Sequence, residues 1–345
     1  MRGDGWPLDS RAVSWNILIT ARVVNEVGQA AIELMRGAGC EVILPPKLGP
    51  LAAEELRPAL GGIDAVLASA DQYSRQVLSS ADASRLKIIS RWGVGYDSID
   101  VAAATELGVV VAYTPGLLNE TVADYTWALL LGMARRIHVV DADMRQGSWK
   151  AAWGHDIGGK TLGVIGCGRI GQAVARRATG FNMRVLGYDV APAPEASARG
   201  IEFVPLDTLL AQSDFVTLNA ALTPQNRGMI GEAQLRSMKP AAYLVNSARG
   251  ALVDEAALAR ALREGWIAGA ALDTFLEEPL APNHVFRQTP NLLLSPHQAS
   301  FGRETGERVS LCAARAILDL LGGKRPELVV NPAVFDAPTL RAPLR

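Results

Sequence analysis

The segment Thr161-Leu-Gly-Val-Ile-Gly166-Cys-Gly168-Arg-Ile-Gly171-Gln-Ala-Val-Ala constrains the fold of this chain more than any other. A short apolar run leads into glycines spaced G-x-G-x-x-G, and helix-forming residues follow. That order predicts a buried strand, a tight turn and a helix. Gly166 permits the turn, Gly168 lets a backbone approach an anion, and Gly171 lets helix and strand pack closely. The helix N-terminus then faces negative charge, such as a pyrophosphate. A second strand, Met183 to Tyr188, ends at Asp189. This acid stands roughly twenty residues past the first glycine, where a carboxylate holds a ribose. Strand, helix and acid in register favour dinucleotide binding over a chance glycine turn.

Strand and helix signals alternate on both sides of this fingerprint. Asn16–Thr20, Cys40–Pro45, Asp64–Ser69, Leu86–Ser90 and Gly108–Pro115 read as strands, with helical spacing at Val23–Gly39 and Ser74–Ala83. A long apolar helix is expected from about Asn119 to Arg136. Beyond the fingerprint, strands are expected at Arg184–Tyr188, Phe215–Leu218, Ala242–Asn246, Gly269–Leu272 and Leu292–Leu294, and a last helix at Glu304–Leu321. The expected fold class is α/β, with two doubly wound parallel-sheet domains of Rossmann or flavodoxin type. Because the fingerprint lies mid-chain, its domain (116–299) is expected as an insertion into one built from 1–115 plus 300–345. A cleft between the two, at the carboxyl ends of the strands, is the expected site. Both chain ends, including the proline-containing tail after Asp336, are expected to be loosely ordered.

Charge narrows the function classes. The 345 residues carry a net charge of −1, which gives no bulk attraction to nucleic acid or to an anionic membrane. The three cysteines, Cys40, Cys167 and Cys312, have neither metal-ligand spacing nor a paired framework, so no metal is expected and a reducing, cytoplasmic setting fits. The N-terminus lacks the apolar stretch of a signal peptide. Cys167 has two readings: a small buried side chain, or a thiol activated by the helix N-terminus. Asp189 argues for NAD, because a carboxylate repels the 2′-phosphate of NADP and the uncharged Val190-Ala-Pro-Ala-Pro follows it.

Three further segments follow the fingerprint: Asn246-Ser-Ala-Arg249-Gly, Asp273-Thr-Phe-Leu-Glu-Glu278-Pro and Ser295-Pro-His297. In this order they resemble the D-isomer-specific 2-hydroxyacid dehydrogenases, a family that includes glyoxylate and hydroxypyruvate reductases, phosphoglycerate dehydrogenases and D-lactate dehydrogenases. The resemblance runs from about Asp64 to Pro332. It implies an NAD-dependent oxidoreductase that interconverts a small 2-keto acid and its D-2-hydroxy acid. Arg249, Glu278 and His297 are then the catalytic residues. A guanidinium grips a carboxylate in bidentate fashion, an imidazole passes the carbonyl proton, and a carboxylate beside it fixes the tautomer and favours the protonated ring. The loop Ser90-Arg-Trp-Gly-Val94-Gly95-Tyr-Asp resembles the family's substrate loop, whose amides meet the substrate carboxylate at Val94 and Gly95. By the same resemblance, Arg169 and Ile170 cap the pyrophosphate, Asp189 holds the ribose, and Ala220, Ser247, Ala248 and Asp273 line the nicotinamide side.

Departures from the family pattern sharpen the substrate. Ser69 and Asp71 stand where phosphoglycerate dehydrogenases tend to carry an arginine for the phosphate, and no regulatory domain is expected after Pro332. Glyoxylate or hydroxypyruvate therefore leads and phosphoglycerate is the alternative. An acid at Glu278, where formate dehydrogenases use an amide, argues against formate. Asn219 and Ala221 replace a histidine and a proline common in the family. The arm at about 137–156, with Trp149 and Trp153, is expected to join a homodimer. A reading of another class is an NAD(H)-sensing protein like the corepressors that resemble this family.

Overall fold

The computed structural model describes residues 14–192, 194–198 and 200–344. The expectation for the chain's first residues falls outside them. Two compact units emerge, one from residues 1–118 and 301–345, the other from 119–300.

The first unit opens with β1 (Asn16–Ile19), α1 (Arg22–Val27), α2 (Gln29–Gly37), β2 (Glu41–Ile43), α3 (Ala53–Ala59) and β3 (Ala65–Ala68). It continues with α4 (Arg75–Leu78), β4 (Ile88–Arg91), α5 (Val101–Glu106) and β5 (Val110–Ala112). The strands form a parallel sheet in the order β2-β1-β3-β4-β5. Its central strand β3 and its edge strand β5 are short apolar runs buried along their length, as a sheet covered by helices on both faces requires.

The second unit begins with α6 (Asn119–Ala134), α7 (Ile137–Arg145), β6 (Thr161–Ile165), α8 (Arg169–Ala178), β7 (Arg184–Tyr188) and α9 (Pro194–Ala198). It continues through β8 (Ile201–Phe203), α10 (Leu206–Gln212), β9 (Phe215–Leu218), α11 (Glu232–Ser237), β10 (Tyr243–Asn246), α12 (Glu255–Glu264), β11 (Gly269–Leu272) and β12 (Leu292–Leu294). All seven strands are parallel, in the order β12-β11-β10-β9-β6-β7-β8. The order reverses between β6 and β9, so the carboxyl ends of these two strands form the switch point where such sheets bind ligands. The chain then returns to the first unit through α13 (Arg303–Leu321). The expected α/β class with two parallel sheets is what the chain forms.

Local differences have physical causes. The single helix expected from Val23 to Gly39 is two, broken at Gly28. A Cβ there would stand 2.8 Å from Ser310 Oγ, so α13 crosses where the first unit has no side chain. The tail is more ordered than expected. Asn331 is buried, accepts from Val111 N at 2.8 Å and donates to Val109 O and Thr105 Oγ1, both at 3.0 Å. These bonds and Val330 N to Val111 O cover the outer edge of β5. Further on, Arg341 donates to the carbonyls of Ala83 and Leu86, and Ala342 is buried. Among the described residues, no helix is long and apolar enough to cross a membrane.

Candidate active site

The fingerprint occupies the switch point of the second unit. Gly166 ends β6 with φ of 86°, and a Cβ on it would stand 2.5 Å from Ala220 N, just past β9. A Cβ on Gly171 would stand 2.0 Å from Gly166 O, so this glycine lets α8 lie against the turn. Gly168 differs: it is exposed, no atom lies within 4 Å of its Cβ position, and no side chain caps the helix it begins. The first and third glycines thus serve packing, while the second leaves space over the α8 N-terminus, with Arg169 and Ile170 in its first turn. Asp189 ends β7 beside this turn, its Oδ2 accepting from Cys167 N at 2.7 Å and its Oδ1 from Ala191 N at 3.0 Å. Each oxygen keeps a lone pair for a ribose hydroxyl. Next to Ala220, the buried Oδ1 of Asn219 has no hydrogen-bond partner. Open space, helix amides, a carboxylate and an unsatisfied acceptor together fit a dinucleotide.

Cys167 is buried within the turn. Desolvation, reinforced by the Asp189 charge, pushes its thiol up to about 12. At neutral pH it is therefore a packed thiol and not an activated thiolate.

Arg249, Glu278 and His297 all lie on loops at the carboxyl edge of the same sheet. Asn246, the last residue of β10, shapes the first loop: its Oδ1 accepts from Ala248 N at 3.0 Å and its Nδ2 donates to Arg249 O at 2.8 Å. The glycine after Arg249 is obligatory here. A Cβ on Gly250 would lie 2.0 Å from the carbonyl carbon of Phe275, so the Arg249 turn packs directly on the turn that carries Glu278. Phe275 N in turn donates to Glu278 Oε1 at 2.9 Å, and Glu278 Oε2 lies 2.7 Å from His297 Nδ1. Burial opposes charge on Glu278, but the hydrogen bond and charge of His297, the Phe275 amide and the Arg249 charge outweigh it. They hold Glu278 below the usual carboxylate range. His297 keeps 42% of its side chain exposed against 29% for Glu278, so the imidazole is the open member of the pair.

Asp273 directly follows β11. It is fully buried, and its carboxylate faces the His297 loop instead of an open surface. Ser295 Oγ donates to Oδ1 at 2.6 Å, Gln298 N to Oδ1 at 2.9 Å, and Ala299 N to Oδ2 at 2.8 Å, while Asp273 O accepts from His297 N at 2.8 Å. Desolvation raises this carboxyl despite these donors. The loop they secure is bent at His297, whose φ of 50° lies in the left-handed region. Ser247 is also engaged, its Oγ 2.7 Å from Thr126 Oγ1. Sequence reasoning missed Asn246, Tyr125, Thr126 and Gln298. Only Asn246, a polar residue ending an apolar strand, left a signal.

The loop bearing Val94 and Gly95 follows β4 in the first unit. Gly93 takes φ of 129° and is clasped by Thr114, whose Oγ1 accepts from Gly93 N at 2.9 Å. Trp92 Nε1 donates to Ser310 Oγ at 3.0 Å and Ser90 Oγ to Ala313 O at 2.8 Å, which anchors the loop on α13. A Cβ on Gly93 would stand 3.3 Å from Arg91 Nη1, and the Arg91 charge also acts on buried Asp71. A guanidinium is therefore present where Ser69 and Asp71 alone offer none.

Known proteins match this architecture. The family model "D-isomer specific 2-hydroxyacid dehydrogenase, NAD binding domain" matches residues 127–299. A glyoxylate reductase of Thermofilum pendens is 41% identical over 324 residues, which cover 91% of this chain and 94% of the relative. One of Korarchaeum cryptofilum is 47% identical over 259 residues, 73% of this chain and 78% of the relative. The crystal structure of a glyoxylate reductase from Paecilomyes thermophila superposes with a TM-score of 0.80 at 33% identity, covering 92% of this chain and 98% of that one. The chain belongs to the D-isomer specific 2-hydroxyacid dehydrogenases and is an NAD-dependent oxidoreductase.

Proposed function

We propose that this chain reduces a small 2-keto acid, glyoxylate or hydroxypyruvate, to the 2-hydroxy acid. The observation that carries the proposal is the 2.7 Å contact of Glu278 with His297 Nδ1, in a charge field that includes Arg249. Bound NADH supplies the hydride for the carbonyl carbon. Glu278 accepts from Nδ1–H and so leaves Nε2 as the atom that hands a proton to the developing alkoxide. Arg249 grips the carboxylate and polarises the carbonyl. By the family resemblance, Val94 and Gly95 are the residues proposed to offer backbone amides to a substrate carboxylate. The second unit holds the cofactor: Gly166, Gly168, Arg169, Ile170 and Gly171 at the pyrophosphate, Asp189 at the ribose, and Ala220, Ser247 and Ala248 on the nicotinamide side. Asp273 serves that side from beneath, through the loop it secures. The glyoxylate reductases that match most of the chain favour glyoxylate, and Arg91 keeps a phosphorylated analogue in contention. NADH oxidation with glyoxylate, hydroxypyruvate, pyruvate and phosphohydroxypyruvate tests the proposal. Turnover of the first two is expected, and failure of all four with folded, NADH-binding protein overturns it.

The same proposal includes a homodimer joined through the arm at 137–156, in a reducing, cytoplasmic setting that suits three unpaired thiols. No residue of α7 is buried, and Trp149 and Trp153 are 88% and 97% exposed. Two such indoles in water are costly unless a second copy covers them. Light scattering should give twice the chain mass, and a monomer at micromolar concentration refutes this part.

A further inference from the structure

Two consecutive residues of α6, Tyr125 and Thr126, reach two different loops of the second unit. Tyr125 OH lies 2.6 Å from Ser295 Oγ and accepts from Gln298 Nε2 at 2.7 Å. Ser295 spends its hydrogen on Asp273 Oδ1, so the Tyr125 hydrogen must point to Ser295 Oγ. A directed chain results, from the Gln298 amide through Tyr125 and Ser295 to the buried Asp273 carboxylate. Bonds in such a chain polarise and strengthen one another. It spans both sides of His297, whose left-handed backbone needs outside support. Thr126 spends its hydrogen on Val122 O at 2.8 Å, so in the contact with Ser247 the serine donates. Ser247 opens the loop that presents Arg249. One rigid sixteen-residue helix thus carries a hydroxyl for each loop.

We infer that Tyr125 and Thr126 are positioning residues, Tyr125 for the proton-transferring His297 and Thr126 for the substrate-gripping Arg249. The inference rests on the roles proposed above for those two side chains. Neither α6 residue need touch substrate. Each acts by fixing a loop on a helix, so the two losses separate kinetically. A misplaced proton donor lowers kcat, whereas a misplaced carboxylate grip raises KM.

The test compares Tyr125→Phe, Thr126→Val and Thr126→Ser, with Ser295→Ala as a second break in the Tyr125 chain. Steady-state kinetics with glyoxylate and NADH are one readout. Amide hydrogen exchange of the protein without cofactor is the other, and it needs no activity. Tyr125→Phe and Ser295→Ala should each lower kcat about tenfold with KM changed less than threefold. They should speed exchange at Gln298 and Ala299 while leaving Ala248 unchanged. Thr126→Val should raise KM for the keto acid about tenfold, with a fall in kcat of less than about threefold from the carbonyl polarisation Arg249 also supplies, and speed exchange at Ala248 alone. Thr126→Ser should restore both. Kinetics within twofold of the parent and unaltered exchange in either pair would overturn the inference, as would equal losses with exchange raised throughout the unit. If the parent protein turns over none of the keto acids, the proposed function fails, and the exchange pattern still decides whether the two hydroxyls hold separate loops.

Discussion

At the scale of single residues, the chemistry is concentrated in His297 and what surrounds it. Arg249, Glu278 and His297 became candidates in the sequence through the three segments that carry the family resemblance, and each proposed role suits its side-chain type. The burial of Asp273 was not legible, whereas Cys167 follows the reading of a small buried side chain. Asp273 turns its carboxylate inward to three donors, and Cys167 is a desolvated thiol. His297→Ala should lower kcat roughly a hundred- to ten-thousandfold in single-turnover measurements while NADH still binds. Because Glu278 is held below the ordinary range near 4.3, it stays ionised throughout pH 5 to 7, and kcat/KM should show no titration from it there. Glu278→Gln removes the charge but keeps an acceptor, so part of the rate should survive. Loss equal to that of His297→Ala would mean that orientation and charge cannot be separated. For Cys167, a thiol pushed up to about 12 predicts that iodoacetamide at pH 7 leaves the native protein active, with labelling confined to protein unfolded in denaturant. Rapid inactivation that NADH prevents would refute it.

At the scale of elements, apolar runs announced the strands and the glycine spacing announced the turn between β6 and α8. Elements whose cause lies elsewhere in the chain were not legible. The close approach of Ser310 to Gly28, at the break between α1 and α2, comes from almost the whole chain away, and β8 is too short to show a period. The Arg-Gly pair shows the same limit. Its arginine suggested function, but its glycine is explained only by the Phe275 backbone beneath it. Gly250→Ala should therefore cost about 1–3 kcal/mol by overpacking, read from the urea midpoint, and should also move Arg249 and raise KM. The tail after α13 makes a parallel case. Asn331 satisfies two buried backbone groups at β5 and also bonds Thr105 Oγ1 on α5, and Asn331→Ala should cost about 1–3 kcal/mol for the polar atoms it strands. A midpoint unchanged by that substitution would mean that water replaces the asparagine and that the tail is only draped on the edge.

At the scale of the whole molecule, the two units repeat one device at the amino-terminal edge of each sheet. Asp64 precedes β3, accepts from Asn16 N at the start of β1, and pairs with Lys87 at 2.7 Å. Asp214 precedes β9, accepts from Thr161 N at the start of β6, and pairs with Lys239 at 2.9 Å. Topology explains the coincidence. In each sheet the first strand, its inner neighbour and the strand after it form the same parallel trio, and an aspartate below the middle one reaches the partners on either side. No similarity of sequence between the halves reveals this, because only the charges and the strand order recur. For both aspartates burial disfavours the charge, but the lysine and backbone donors outweigh it and lower the carboxyl. The sign follows from linkage. A group lowered on folding contributes stability above its unfolded value, near 3.9, and loses it as pH falls through the lower folded value. The native protein should therefore lose stability steeply below about pH 4. Asp64→Asn and Asp214→Asn should each lower the Tm at pH 7 and flatten that acid loss. Hydrogen exchange should locate the change in β1, β3 and β4 for the first variant and in β6, β9 and β10 for the second. Acid profiles that run parallel to the parent's would show that these ion pairs set no part of the pH dependence, and exchange raised equally in both sheets would show that the two units do not melt as separate structures.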